Sequence, residues 1–206
     1  MKVLLVNGSP HAKGCTFTAL SEIASTLEKQ DIETEIFQLG VKSISGCRGC
    51  NKCNETNKCI IDDIVNEFVL KAAGADGFIF GSPVHYASSS GAITSFMDRV
   101  FYSGGDKLAF KPGSVVVSCR RAGSTAALDQ LLKYLTINNM PVISSDYWNM
   151  VHGFTPDDVR KDIEGLHTMR TLGYNMAWLL RCIEAGKKAG FALPEKEEKQ
   201  WTNFIR

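Results

Sequence analysis

Two things are missing from this 206-residue chain that would have narrowed its partners at once. No apolar run approaches the ~20 residues that cross a bilayer. Neither sign of charge is in excess: 23 Lys and Arg face 22 Asp and Glu, a net charge of +1. The first absence predicts no membrane partner. The second argues against nucleic acid, which would call for a basic stripe, and against a strongly acidic carrier that docks on basic proteins. Three loop signatures are absent too. A nucleotide triphosphatase loop needs Gly, four residues, then Gly-Lys-Ser/Thr, and a dinucleotide fingerprint needs Gly-x-Gly-x-x-Gly. Here five residues separate Gly8 from Gly14, and no lysine follows Gly14. A tyrosine-phosphatase-type loop needs Cys, five residues and Arg, and neither Cys15 nor Cys119 has it. There is no internal repeat and no low-complexity linker, so one domain over 1–206 is expected. The chain enters a strand at its second residue, which leaves no room for a signal peptide and predicts a cytoplasmic protein.

What is present alternates. Residues 2–7 read as a buried strand and residues 16–29 as a helix with Phe17, Leu20, Ile23 (or Ala24) and Leu27 on one face. A more polar strand follows at 33–39, carrying Glu35 and Gln38, which suits a sheet edge. Asp62 or Asp63 caps a helix with Ile64, Phe68 and Ala72 on its apolar face. Phe78-Ile79-Phe80 is a third strand, and Ile93, Phe96, Met97 and Val100 mark the next helix. Ser114–Val117 is a fourth strand, Leu128, Leu131, Leu132 and Leu135 a fourth helix, and Val142-Ile143 opens a fifth strand. Pro156 to about Lys188 reads as one long helix, with Thr155 as cap and a stripe from Val159 through Ile163, Leu166 and Met169 to Ile183. Continuous apolar strands between helices imply a parallel sheet buried on both faces. The fold class is therefore α/β: a flavodoxin-like three-layer fold, with a five-stranded parallel sheet in the order 2-1-3-4-5 and a long C-terminal helix and tail over 156–206.

In that order a ligand sits beyond the carboxyl ends of strands one and three. Three loops meet the description. The first, Gly8 to Thr16, is rich in hydroxyls, carries Lys13 and opens a helix, as a binder of one terminal phosphate would. The second carries Pro83, Val84, His85 and Tyr86, a flat mixed surface for a ring. The third, Cys119 to Gly123, places Arg120 and Arg121 beside a helix start, a positive pole for an anionic ligand. Each piece has an ordinary alternative: a strand-to-helix turn, a packed loop, surface ion pairs, a buried strand-end cysteine. Together they describe a flavin mononucleotide site.

Gly8-Ser9-Pro10 with Gly14 and Thr16, then Gly81-Ser82-Pro83-Val84 leading to Phe96-Met97-Asp98-Arg99, resembles the NADPH-dependent FMN reductase family over roughly residues 1–150. More narrowly it is similar to the iron–sulfur flavoprotein and quinone reductase branches. The resemblance implies FMN as cofactor, NAD(P)H as reductant, and a homodimer or homotetramer. It assigns Ser9, Lys13, Cys15, Thr16 and Phe17 to the phosphate loop. It assigns Pro83, Val84, His85 and Tyr86 to the ring wall, and Cys119, Arg120, Arg121 and Gly123 to the ring's far edge. The family often has Arg where this chain has His11 and Asn where it has Cys15.

Four of seven cysteines crowd into Cys47-x2-Cys50-x2-Cys53-x5-Cys59. Two-residue gaps bring thiolates within reach of one cubane, and the spacing resembles that by which iron–sulfur flavoproteins hold a 4Fe–4S cluster. The bacterial ferredoxin pattern differs in its last gap and its following proline. Four thiolates equally suit tetrahedral zinc, and free thiols in a compact 44–60 loop are the plain alternative. The expected activity is electron transfer from NAD(P)H to a small-molecule acceptor such as a quinone, free flavin or iron–sulfur centre. Arg120 and Arg121 would stabilise the reduced ring's negative charge, and Tyr86 or His85 would donate a proton to a quinone. The competing readings are a non-enzymatic electron carrier and a cofactor-free sensing domain. Trp201, Phe204 and Ile205 in the tail are expected to pack on the body or on a second subunit.

Overall fold

Alternation along the strands decides which layer each side chain feeds. In β1 (Lys2–Asn7), Val3 and Leu5 enter one core while Leu4 and Val6 enter the other. The same division separates Ile79 from Phe78 and Phe80 in β3 (Gly77–His85), and Val116 from Val115 and Val117 in β5 (Gly113–Cys119). A strand with both sets apolar is stable only between two helix layers. The computed structural model, which describes residues 1–195, 197–202 and 204, has that arrangement. One layer is α1 (Cys15–Glu28) with α6 (Pro156–Lys161) and α7 (Ile163–Lys188). The other is α3 (Ile64–Ala73), α4 (Gly91–Leu108) and α5 (Ser124–Ile137). A one-turn helix, α2 (Cys53–Thr56), interrupts the cysteine loop.

The parallel strands run β2-β1-β3-β5-β6, with β2 (Glu33–Gln38) and β6 (Met150–His152) at the edges. The order is the one read from the sequence, and the polar strand is indeed outermost. The sheet has six strands among the described residues rather than five. The addition is β4 (Ser88–Ser89), which folds back on β3 as an antiparallel hairpin. The last parallel strand also lies later than expected. Val142 makes only an isolated bridge to Gly113, and the regular pairing to β5 is made by Met150–His152.

The helix expected over 156–188 is two helices. Asp162 leaves the helical region (φ −75°, ψ 78°), and its carboxylate accepts from the Gly165 N–H at 2.9 Å and the His152 N–H at 2.6 Å. A side chain that caps the second helix and ties it to the sheet edge repays the break. The kink also turns Ile163 out to solvent, whereas Met169, Leu172 and Met176 are buried as the stripe requires. Gly173 has a packing reason: a Cβ there would stand 2.9 Å from Thr26 of α1, so the two helices cross closely only because the position is bare. The described tail aromatics do not pack on the body. Trp201 is 82% and Phe204 92% exposed, and Ile205 lies outside the described residues. Among the described residues no helix is long and apolar enough to cross a membrane.

Replacing Asp162 with Ala removes a cap and a charged acceptor together. The expected cost is about 2 kcal/mol of unfolding free energy, read from urea titration; wild-type stability would show that the break is not held by this carboxylate.

Candidate functional site

The carboxyl ends of β1 and β3 are the point where the sheet order reverses, and backbone bonds carry the pairing past the strands. The Gly8 N–H donates to the Gly81 carbonyl at 2.8 Å. The Ser90 hydroxyl donates to the Gly8 carbonyl at 3.0 Å, and the Ser90 N–H donates to the Ser82 hydroxyl at 3.0 Å. The first two loops are thus drawn to one rim.

The first loop is braced from below. Asn7 donates to the Gln38 side chain and accepts the Ser9 N–H at 3.2 Å, while Gln38 donates to the Ser9 carbonyl at 2.7 Å. The Ser9 hydroxyl accepts the His11 N–H at 3.1 Å. Ser9 is therefore buried and engaged within its own loop. Thr16 is buried as well, its hydroxyl bonded to Ser118 of β5 at 2.8 Å. What these residues leave open is backbone. Gly14 gives α1 no side-chain cap, and no protein acceptor meets the N–H groups of Ala12, Lys13, Cys15, Thr16 or Phe17 among the described residues. Orphan donors at a helix N-terminus form a ready anion site. Lys13 and His11 stand exposed beside it, and Phe17 is half-buried rather than in the core. The Cys15 thiol donates to the Gly153 carbonyl at 3.8 Å, and burial raises its pKa.

The second loop is the β3–β4 hairpin. Val84 pairs with Ser89 and His85 with Ser88, so Tyr86-Ala87 is a two-residue turn. Both turn residues have positive φ, 48° and 60°, which is the type I′ arrangement that favours Asn-Gly. The Ser88 and Ser89 hydroxyls both donate to the Gln130 side-chain Oε1 on α5, at 2.8 and 2.6 Å, and this holds the hairpin down. Pro83 and Val84 are half-buried, His85 is exposed, and Tyr86 is fully exposed at the tip. The third loop touches the second. Gly123 has φ 88°, and a Cβ there would fall 2.4 Å from the Ala87 Cα. Arg120 and Arg121 are exposed. Cys119 is buried, with its thiol pKa raised by burial, so this position offers backbone rather than sulfur to a ligand.

The four clustered cysteines lie apart from this rim, against the flank of α4. They line one cavity of about 380 Å³ together with Asp98, Arg99 and Tyr102. Cys47 and Cys50 are exposed, Cys53 and Cys59 half-buried. Burial, then the neighbouring thiols, raise the Cys53 pKa. No three His, Cys, Asp or Glu side chains among the described residues stand in metal-binding geometry. The donor set still suits a soft metal centre, since all four groups are thiols lining one cavity.

Sequence reasoning missed the braces. Gln38 stood out only as edge-strand polarity, although it supports the first loop. Gln130 and Ser90 carry no local signal. Arg99 lay within the Phe96–Arg99 motif, but nothing in the spacing told that it would be buried.

The chain matches the family described as NADPH-dependent FMN reductase over residues 1–155. It is 33% identical over 192 residues to an iron–sulfur flavoprotein of Methanocaldococcus jannaschii, covering 89% of this chain and 100% of that protein. An iron–sulfur flavoprotein of Archaeoglobus fulgidus is 27% identical over 197 residues, covering 87% of this chain and 97% of that protein. Among solved structures, RosB with bound 8-demethyl-8-formylriboflavin-5′-phosphate has a TM-score of 0.68 at 15% identity. The match covers 100% of this chain and 94% of that one. At that identity the likeness is one of fold.

The hairpin tip supplies a test. A left-handed conformation costs an ordinary L-residue roughly 1–2 kcal/mol. The double substitution Tyr86→Asn with Ala87→Gly is therefore expected to raise unfolding free energy by about 1–2 kcal/mol. Denaturant titration decides it; no gain would mean that the turn is unstrained.

Proposed function

The chain belongs to the NADPH-dependent FMN reductase family, and from that premise we propose that it is an FMN-dependent oxidoreductase. It takes reducing equivalents from NADPH or NADH and passes them to a small acceptor such as a quinone, a free flavin or an iron–sulfur centre. The observation that carries the reading is the open start of α1, facing the rim where the other two loops meet.

The residues fit the cofactor. The N–H groups of Cys15, Thr16 and Phe17, with the Lys13 ammonium beside them, would hold the phosphate. Pro83, Val84, His85 and Tyr86 would wall the ring, and the Arg120–Gly123 backbone would meet its far edge. FMN, when bound, supplies a ring that accepts hydride and releases electrons singly or in pairs. The chain's own part is electrostatic. N–H dipoles of the third loop, with the exposed Arg120 and Arg121, would favour negative charge on a bound ring. Burial raises the pKa of the Cys15 and Cys119 thiols, which disfavours their thiolate forms. The Tyr86 hydroxyl, exposed at the hairpin tip, would give a proton to a reduced quinone.

The four-cysteine cavity supports a second redox site. Its thiols would hold a 4Fe–4S cluster, which supplies one-electron chemistry, with zinc as the competing occupant. The same cavity favours a second reading, an iron–sulfur electron carrier that does not turn over NAD(P)H itself. One experiment separates the two. Anaerobically purified protein should show oxidised-flavin absorbance with a broad iron–sulfur shoulder, and NADPH with a quinone should be consumed catalytically. Flavin that stays oxidised with both NADPH and NADH would overturn the reductase. In the R120A/R121A double variant, flavin reduction should slow about tenfold, equivalent to ~1.4 kcal/mol of barrier.

Self-association belongs to the same proposal. Tyr174 and Trp178 on α7 are exposed, as are Tyr147, Trp148 and Phe154 in the segment before it, more apolar surface than a monomer needs. Light scattering at micromolar concentration should give a dimer or tetramer, and a monomer there would refute it.

A further inference from the structure

Arg99 is the bulkiest fully buried side chain described, 1% exposed, and it lies midway along α4. A guanidinium has five N–H donors in a fixed fork, and all five are used. Nη1 donates to Asp63 Oδ2 at 2.7 Å and to the Ser45 carbonyl at 3.4 Å. Nη2 donates to Asp63 Oδ1 and to the Ile61 carbonyl, both at 2.8 Å. Nε donates to the Cys59 sulfur at 3.2 Å. Ser45 precedes the cysteine cluster and Cys59–Asp63 close it, so both ends of the loop converge on one cation. Asp63 is itself fixed, since its Oδ1 caps α3 through the Val65 N–H at 3.1 Å.

Cys59 is pinned a second time. Its N–H donates to the Asn66 side-chain oxygen at 3.0 Å, and its carbonyl accepts from the Asn66 amide at 2.9 Å. Backbone and sulfur are thus both held, while Cys47 and Cys50, which line the same cavity, are exposed. A neutral thiol is a weak acceptor and a poor use of a buried cation's donor. A metal-bound sulfur carries charge and accepts such a bond well.

We propose that Arg99 is the positioning residue of the cysteine site: it holds Cys59 as the preformed ligand of an iron–sulfur cluster and raises that cluster's reduction potential through the Nε–H···Sγ bond. This rests on the cluster reading above. Hydrogen bonds to cluster sulfurs favour the more negative, reduced state and so raise the potential. Asp63 and Asn66 set the donor and the ligand in register, and Cys47, Cys50 and Cys53 close on a sulfur already in place.

The substitution Arg99→Lys isolates the bond, because it keeps a positive charge for Asp63 and deletes the Nε donor. Wild-type and variant chains are reconstituted anaerobically with iron and sulfide, and thermal unfolding of the apo forms checks that both fold. Expected for R99K are about 10–100-fold weaker iron retention against a chelator and a midpoint potential shifted negative in a redox titration followed by electron paramagnetic resonance. A purely structural arginine would leave the potential unmoved. Should R99K not fold, Asp63→Asn tilts the fork by removing one charged acceptor, and it should shift both readouts in the same direction. Wild-type retention and potential in the folded variant would overturn the role of Arg99. A wild-type chain that takes up no iron would overturn the cluster reading, and this assignment with it.

Discussion

The bond from the Gly8 N–H to the Gly81 carbonyl is the constraint on which the site depends. It continues the β1–β3 pairing beyond the last residue of β1 and so prevents the two segments from splaying where the sheet order reverses. Ser90 adds a hydroxyl bond to the Gly8 carbonyl and takes the Ser82 hydroxyl on its own N–H. All of these groups are buried or nearly so, where each unmade bond would cost about 1–3 kcal/mol. The rim is thus tied together by the chain's own hydrogen bonds. Its open valence is left to the first turn of α1, and this division of labour makes a binding site of an ordinary strand-to-helix junction.

The frame of the fold was legible in the sequence because burial writes itself in periodicity. Val3 to Val6, Phe78 to Phe80 and Val115 to Val117 are apolar on both faces, and only a parallel sheet between helices satisfies that. The polarity of Glu33–Gln38 placed that strand at the edge. What was not legible turns on single side chains whose partners are distant in the chain. Asp162 breaks a helix that its neighbours would continue, because its carboxylate gains two N–H donors, one of them from β6. The β3–β4 hairpin hid behind Tyr86-Ala87, a pair with no preference for the turn it makes.

The candidate site divides in the same way. The loops that meet at the rim were readable from their glycines, hydroxyls and basic residues. The hydroxyls, however, do not face outward as the sequence invites one to think. Ser9 and Thr16 are spent on holding the loop to Asn7, His11 and Ser118. What a phosphate would find is backbone, which every residue possesses and which no composition reveals. Arg99 shows the converse. Its position in the sequence was conspicuous, but its burial follows from Asp63 and Cys59, some forty residues earlier.

The two proposed sites share one mechanical element. The N-cap Ser90 of α4 is bonded into the flavin-type rim, and Arg99 on the same helix anchors the cysteine loop. Nine residues of helix separate them, about 14 Å along the axis. The break in that helix falls at Gly104, beyond Arg99, where Val69 packs into the space a side chain would need. The segment between the sites is therefore unbroken helix, and Phe96 and Met97 within it are fully buried. A displacement of the cysteine loop that moved Arg99 would have to move Ser90, and with it the Gly8 carbonyl. Were electrons to pass between the proposed sites, such a bar would set their separation, and the buried guanidinium at its far end would keep the second site in register with the first.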